Sequence, residues 1–154
     1  MILRQATAGD TADILRLIND AYAVERFFID GDRIDTAGVE RSFERGIFLL
    51  LEAPGPRTVG CVHVEPRGDR GYFGLLAVAP DRQHAGIGRR LISAAEDHCR
   101  AAGCTVMDLQ VVNLRTELRP IYRRLGYTET GTAPFPPGSA TLQPCHFVIM
   151  TKPL

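Results

Sequence analysis

The chain has 154 residues, in which 18 Lys and Arg balance 18 Asp and Glu and 45% of the residues are hydrophobic. This composition is typical of an ordinary globular domain, and the length argues against two full domains, so we expect one domain over residues 1–154. A net charge of zero argues against a general nucleic-acid or anionic-membrane binder, because such proteins carry a basic excess. No apolar run approaches the roughly 20 residues of a membrane span, and the first residues lack a signal peptide's basic and apolar regions, so we predict a cytoplasmic location.

Cysteine usage predicts neither a disulfide framework nor a zinc site, because the four cysteines form no CxxC pair. Free cysteines in apolar or helical segments behave as small buried hydrophobes, and we expect this of Cys61, Cys99, Cys104 and Cys145. Cys145 and His146 are neighbours on a predicted strand and would point to opposite faces, so they would not share a metal. We therefore expect no metal site.

Charge is unevenly distributed along the chain. Residues 1–50 hold nine acids and six arginines, whereas residues 66–124 hold six acids and ten arginines. This asymmetry favours a cationic ligand beside the first segment and an anionic ligand beside the second, although scattered solvated charge explains the counts equally well. Lys152 is the only lysine, so almost every basic side chain is an arginine.

The first 46 residues predict a strand and two helices. The strand covers residues 2–6, and Asp10 or Thr11 then caps a first helix. Apolar side chains recur there at helical spacing, namely Ile14, Leu17, Ile18, Ala21 and Tyr22. A second helix begins at Asp35 or Thr36.

Residues 48–80 predict an antiparallel meander. Its three strands are FLLLE, TVGCVHVE and YFGLLAVAP, and turn-forming residues separate them. An amphipathic helix follows from Gly88 to Ala102, and then come the strand TVMDLQVV, a helical segment ending in RRLG and a strand from Tyr127. A proline-rich loop leads to the last strand, HFVIMTK. This order predicts a mixed sheet with helices on its faces.

The stretch LLAVAPDRQHAGIGRRLI predicts an anion site, because Gly86 and Gly88 lead directly from a buried strand into the long helix. The first N–H groups of a helix have no internal partner, and the helix dipole is positive there. Nearby positive charge comes from Arg82, Arg89 and Arg90. A dinucleotide-binding GxGxxG motif would need glycine where Leu91 stands, and no GK[ST] follows to make a P-loop.

This stretch resembles the GCN5-related N-acetyltransferase (GNAT) family, whose acetyl-coenzyme A (acetyl-CoA) loop follows the pattern Q/R-x-x-G-x-G/A. The residues in that pattern here are Gln83, His84, Ala85, Gly86, Ile87 and Gly88, and the family often has glycine where His84 stands. The resemblance extends over nearly the whole chain, and it includes a strand that ends at Asn113 and the segment IYRRLGY around Tyr122. It implies an α/β fold with a mixed, mostly antiparallel central sheet and helices on both faces.

The resemblance also implies where the acetyl donor binds. The backbone of Leu76, Ala77 and Val78 should pair with the pantetheine arm, and residues 83–89, including Arg89, should hold the pyrophosphate. The Val78 N–H should donate to the thioester oxygen as it gains negative charge. Asn113 should bind a cofactor amide or an ordered water, with a turn at the strand end as the alternative.

Acetyl transfer to an amine also needs an acid and a base. By resemblance the acid is Tyr122, whose hydroxyl stays protonated at neutral pH and can donate to the departing thiolate. Glu25 is the first candidate for the base, with His63, Glu65 or a chain of waters as alternatives. Aromatic residues expected to wall the acceptor pocket are Tyr22, Phe27 and Phe28.

The sequence therefore predicts an N-acetyltransferase that acts on an amine of a small molecule or peptide, with no nucleic-acid or membrane partner. The alternative is a catalytically silent acyl-CoA-binding sensor or interaction module, which would need the glycine loop but not Tyr122. The acidic first third predicts an acidic acceptor pocket that favours a cationic amine. The terminal strand and the proline-rich loop could form a homodimer interface, so the sequence does not decide between a monomer and a dimer.

Overall fold

Seven strands and four α-helices make up the structure, a computed structural model that describes residues 1–154. The strands are β1 (Ile2–Gln5), β2 (Ile47–Ala53), β3 (Arg57–Arg67), β4 (Arg70–Val78), β5 (Val106–Val112), β6 (Thr128–Pro134) and β7 (His146–Pro153). The helices are α1 (Thr11–Ala21), α2 (Thr36–Arg45), α3 (Ile87–Ala101) and α4 (Leu118–Arg124). Every predicted strand and helix is present, within a few residues of its predicted bounds.

The strands form one sheet in the order β1-β2-β3-β4-β5-β7-β6. All neighbours are antiparallel except β4 and β5, which run parallel. The predicted mixed, mostly antiparallel α/β fold is therefore confirmed. None of the helices combines the length and hydropathy that crossing a membrane requires.

The parallel contact between β4 and β5 is short. Only three residue pairs join the two strands, from Arg70↔Val106 to Tyr72↔Asp108. Beyond Tyr72 the strands separate, although both continue for several residues. A V-shaped opening therefore forms in the middle of the sheet.

A β-bulge in β4 lies at this opening. Cys61 pairs with Ala77 and His63 pairs with Gly74, so β4 carries one more residue than β3 between these pairs. Leu75 lies within the bulge and has a φ of 50°, a left-handed value that is rare for a leucine. Bulges bend a strand and increase its local twist, so this one accompanies the separation of β4 from β5.

The core lies between the sheet and its helices, and the first turns of α3 approach the sheet closely at Gly60. A Cβ atom there would lie 2.8 Å from Ile87 Cγ2 and 2.8 Å from Leu91 Cδ1. The absence of a side chain at Gly60 thus lets the first turns of α3 lie directly on β3. Cys61, Cys99 and Cys104 are buried, as predicted for small hydrophobes, whereas Cys145 is partly exposed, contrary to the prediction.

Candidate active site

A cavity of about 640 Å³, here called the loop cavity, opens where α3 begins. The predicted loop residues that line it are Gln83, His84, Gly86, Ile87, Gly88 and Arg89. Leu76 and Val78 of β4 and Tyr122 of α4 line it as well. The structure therefore brings together most of the residues that the sequence assigned to the cofactor.

The backbone at the start of α3 is free to bind an anion. Gly86 occupies the N-cap position with a φ of 78°, and no side chain caps the helix. The first N–H groups of this 15-residue helix are thus left for a ligand, at the positive end of its dipole. His84, where the family often has glycine, also has a left-handed φ of 64°. This backbone requirement explains why glycine suits that position.

The loop cavity is electropositive. Its lining contains no carboxylate, and its four arginines are Arg82, Arg89, Arg115 and Arg124. The remaining lining is largely apolar, as the arm of a pantetheine ligand requires. An uncapped helix N-terminus beside guanidinium groups fits the pyrophosphate and phosphate of coenzyme A.

Backbone groups of β4 point into the opening. Ala79 N–H donates to Val59 O at 2.8 Å, so the next pair, Gly60↔Val78, is of the type that exchanges no hydrogen bonds. The Val78 N–H therefore points away from β3 and towards the space left by β5. The Val78 carbonyl accepts a hydrogen bond from Gln83 Nε2 at 3.4 Å, which ties the loop to the strand end.

Tyr122 is nearly buried, with 8% of the residue exposed, and its ring packs beside Phe73 and Tyr127. Its hydroxyl makes no hydrogen bond within the protein. Every fully buried polar side-chain atom of the structure does make one, so the Tyr122 hydroxyl is not fully buried and faces the cavity. Burial raises the pKa of Tyr122 to about 12. The hydroxyl therefore stays protonated at any pH near neutrality and is free to donate.

Glu25 and Tyr122 both line a narrow apolar passage of about 90 Å³. Glu25 is only 5% exposed, and Arg115 Nη1 donates to its Oε2 at 2.9 Å. Burial raises the pKa of Glu25, and the ion pair with Arg115 opposes this rise without cancelling it. Such a carboxylate is a stronger base than an exposed glutamate.

The passage leads to a second, larger space, here called the polar cleft, of about 1100 Å³. The passage shares Tyr22, Leu76 and Tyr122 with the loop cavity, and it shares Arg33 and Tyr72 with the polar cleft. The three spaces thus adjoin one another at the opening between β4 and β5. A donor in the loop cavity and an acceptor in the polar cleft would meet in the passage.

The polar cleft does not have the acidic lining that the sequence predicted for an acceptor pocket. The charged side chains that line the polar cleft are Arg33, Arg41, Arg45 and Arg67 against Asp32, Asp35 and Glu65. The acids Glu40 and Glu44 do not line it, although they alternate with Arg41 and Arg45 in α2. Adjacent helical residues differ by about 100° in direction, so α2 presents its arginines to the cleft and these acids elsewhere.

His63 and Glu65, the alternative bases, are both buried in the wall of the polar cleft. His63 Nε2 lies 2.7 Å from Ser42 O, a contact that requires this nitrogen to donate. Burial lowers the pKa of His63, so the neutral ring is favoured. Glu65 accepts from Arg67 at 3.0 Å. Neither residue lines the passage that Tyr122 and Glu25 share.

Several predicted residues lie outside these cavities. Asn113 Oδ1 accepts a hydrogen bond from His146 N–H at 2.8 Å, so the side chain joins two strand ends, as in the structural role given above as the alternative. Its predicted contact with the cofactor stays a prediction. The side chain of Ala77 is buried, and Ala85 does not line the loop cavity, so any contact they make with the cofactor must use backbone. Of the predicted aromatic walls, Tyr22 lines the passage, whereas Phe28 is in the core and Phe27 is exposed.

Sequence reasoning did not identify Arg115 or Tyr72 as functional residues. Arg115 holds Glu25 across a sequence separation of 90 residues, so no local pattern could reveal the pair. Tyr72 stands at the point where β4 and β5 separate and lines both the passage and the polar cleft. Tyr72 belongs to the last parallel pair, and this pairing depends on the tertiary fold, so the sequence carried no local signal for it.

Comparison with known proteins agrees with this geometry. Residues 44–129 match the acetyltransferase (GNAT) domain. An IAA acetyltransferase from Azospirillum brasilense is 30% identical over 110 residues, which cover 70% of this chain and 67% of that protein. The ribosomal-protein-S18-alanine N-acetyltransferase of Escherichia coli has a similar fold, with a TM-score of 0.79 and 18% identity over 99% of this chain and 92% of that one. An aminoglycoside 6'-N-acetyltransferase solved with coenzyme A has a TM-score of 0.77 and 18% identity over 99% of this chain and 97% of that one.

The chain belongs to the GNAT family of acetyltransferases, and it is an acyltransferase enzyme. The family uses acetyl-CoA as the acetyl donor.

Proposed function

We propose that residues 1–154 form one N-acetyltransferase domain that transfers acetyl from acetyl-CoA to a primary amine of a small molecule or peptide. The observation that carries this proposal is the passage between β4 and β5. It joins an electropositive cavity at a helix N-terminus to a large polar cleft, and its wall holds a protonated tyrosine and a buried carboxylate. Each group needed for direct transfer thus has a place at one point of the sheet.

The N-terminus of α3 and the nearby arginines would hold the pyrophosphate. Two observations support this: the first N–H groups of the helix are uncapped, and no carboxylate lines the cavity. Leu76 and Val78 would direct the pantetheine arm along the exposed backbone of β4. The Val78 N–H would donate to the acetyl oxygen as that oxygen gains negative charge, because a fixed dipole in a dry site stabilises such charge strongly.

Acetyl-CoA supplies a thioester whose C–S bond breaks as the amine nitrogen forms the new C–N bond. Glu25 accepts the proton that the amine must lose, directly or through one water, and Arg115 keeps its carboxylate in place. Tyr122 donates its hydroxyl proton to the sulfur, so the thiol leaves neutral. Glu25 then releases its proton to solvent and the tyrosinate recovers one, so both groups return to their starting states. All bonds and protons balance without a covalent enzyme adduct.

The test is a screen of primary amines in which thiol release and the acetylated product are measured together. The enzyme proposal expects one acetylamide for each thiol released, and release only when an amine is present. A silent acyl-CoA-binding module would bind acetyl-CoA and release no thiol with any amine. Calorimetry of acetyl-CoA binding on the same preparation separates this outcome from an inactive, unfolded sample.

A further inference from the structure

The arginines of this protein divide into two groups by their partners. Nine of them form ion pairs with carboxylates, and eight do not. The unpaired arginines are Arg33, Arg41, Arg45, Arg82, Arg89, Arg90, Arg119 and Arg124. Three of these line the loop cavity, where a polyanionic cofactor is proposed to bind, and Arg90 lies in the first turn of the same helix. The set Arg33, Arg41 and Arg45 lines the polar cleft instead.

The acids of the polar cleft already have partners. Asp32 lies 3.4 Å from Arg26, Glu65 accepts from Arg67 at 3.0 Å, and Asp35 caps α2 through Gly38 N–H at 2.7 Å. No ion pair joins these acids to Arg33, Arg41 or Arg45, and the four arginines of the lining exceed its three carboxylates by one positive charge. The electrostatics of this cleft are therefore opposite to those expected from the acidic first third of the sequence.

Arg33 lies where the cleft meets the passage, and Arg41 and Arg45 line the cleft from α2. Arg33 lies over the Tyr22 ring, with its Cζ 5.5 Å from the ring centre, and it lines the passage as well as the cleft. Tyr72 also lines both spaces, whereas Arg41 and Arg45 line the cleft alone. Arg41 and Arg45 are four residues apart in α2, a spacing at which like charges repel each other. A bound anion would relieve that repulsion.

We propose that the acceptor amine carries an anionic group, a carboxylate or a phosphate, which Arg41 and Arg45 bind together with Arg33 while the amine enters the passage. This inference rests on the proposed function, because it assigns the substrate class of the same site. Guanidinium groups suit this task, since they form paired, charge-assisted hydrogen bonds to carboxylate and phosphate oxygens. The geometry selects against diamines and other acceptors whose distal group is cationic.

The test compares acceptors that differ only in distal charge. Glycine, β-alanine and γ-aminobutyrate are each measured against their own carboxamides and against the diamine of equal length, with kcat/KM corrected for the neutral amine fraction. Phosphoethanolamine against β-alanine distinguishes a phosphate from a carboxylate site. We expect a carboxylate or phosphate acceptor to exceed its neutral analogue by about tenfold or more, the size expected of one charge-assisted contact. Equal use of carboxylates and carboxamides at every length would overturn the inference.

A double variant tests whether the preference for anionic acceptors depends on the arginines of the polar cleft. In the double variant R41Q/R45Q, kcat/KM for the preferred anionic acceptor should fall about tenfold or more, whereas that for its carboxamide should change about twofold at most. The double variant R16Q/R100Q, an equal change of two charges at exposed positions of α1 and α3, is the matched control and should alter neither value. An unchanged preference in R41Q/R45Q contradicts the proposal.

A binding measurement keeps the two proposals separate. If acetyl-CoA binds but no amine of any charge is acetylated, the proposed function fails. Calorimetric titration of γ-aminobutyrate and of phosphoethanolamine into the coenzyme A complex then decides the inference alone. Binding of either ligand that is weakened in R41Q/R45Q upholds an anion site, whereas equal binding or none to the wild type overturns it.

Discussion

At the scale of single residues, the proposed site depends on Gly86, which has no side chain, and on Tyr122, which supplies a hydroxyl. Gly86 gives a left-handed turn that uncovers the N–H groups of α3. Tyr122 presents a hydroxyl that burial keeps protonated. Each makes a separable contribution, one to binding and one to turnover, so variants of the two should behave differently.

Replacing Gly86 by valine should abolish acetyl-CoA binding measured by calorimetry. Apart from its chain neighbours, no protein atom lies within 4 Å of a Cβ added at Gly86, so the fold leaves space there. It places a branched side chain at a φ of 78°, which such residues disfavour, and blocks the approach of a ligand to the backbone. His84→Gly, at the other left-handed position of the loop, is the control and should bind within a few-fold of wild type. Wild-type affinity in a folded Gly86→Val protein would assign the phosphates to a different loop.

Tyr122→Phe should lower kcat by roughly 10²–10⁴-fold and leave acetyl-CoA affinity within a few-fold, because only the departing thiolate needs the hydroxyl. Tyr22→Phe removes the neighbouring hydroxyl in the same passage and serves as the control. Single-turnover kinetics give the rate of the chemical step independently of product release. An unchanged single-turnover rate in Tyr122→Phe removes this residue from the mechanism.

Glu25 should impose a pH dependence on turnover. Its pKa is raised above the ordinary value of 4.5, so the carboxylate form required of a base is lost as the pH falls through that raised pKa. The ratio of kcat/KM for wild type to that for Glu25→Gln cancels the ionisation of the amine itself. This ratio should rise with pH and then level off. A ratio that does not vary with pH, or an equal loss in Glu65→Gln, argues for a base other than Glu25.

At the scale of the elements, the separation of β4 from β5 creates the site, and α3 carries the loop to it. The position of α3 depends on Gly60, where the helix touches the sheet without an intervening side chain. A change in this contact should therefore alter both the stability of the fold and the geometry of the loop.

Gly60→Ala should reduce the free energy of unfolding by about 1–3 kcal/mol, because its Cβ would overpack the contact with Ile87 and Leu91. Displacement of α3 should also weaken acetyl-CoA binding. Gly131→Ala in β6 is the control, since its Cβ would meet only Ile149 Cδ1, at an ordinary 3.8 Å. Urea denaturation measures the difference between the two variants. Equal stability of Gly60→Ala and wild type would show that α3 has room to move.

Local patterns predicted the elements and the loop, because each depends on residues that are close in sequence. Gly86 and Gly88 precede an amphipathic helix and follow a buried strand, and these features fix an anion site without tertiary information. The bulge at Leu75 was not predictable, since leucine has no preference for a left-handed φ. The pairing of Glu25 with Arg115 depends on the long-range fold, and the charge of the polar cleft depends on which face of α2 meets it.

At the scale of the whole molecule, the sheet separates two ligand environments and connects them at one point. The loop cavity lies at the start of α3, the polar cleft lies beside α2, and Tyr72, Tyr22 and Arg33 border the passage between them. Donor and acceptor would enter from different sides and meet only where Glu25 and Tyr122 are present. This arrangement favours transfer of the acetyl group to the amine over its loss to bulk water.

The most direct test is a crystal structure of the protein with a bisubstrate analogue, in which coenzyme A is joined through its sulfur to an acetyl-linked amine. We predict that the pyrophosphate lies on the N–H groups of residues 86–89, that the sulfur lies beside the Tyr122 hydroxyl, and that the amine portion extends through the passage into the polar cleft. An analogue whose amine portion leaves the passage empty, or whose pyrophosphate lies away from α3, would contradict the proposed meeting point.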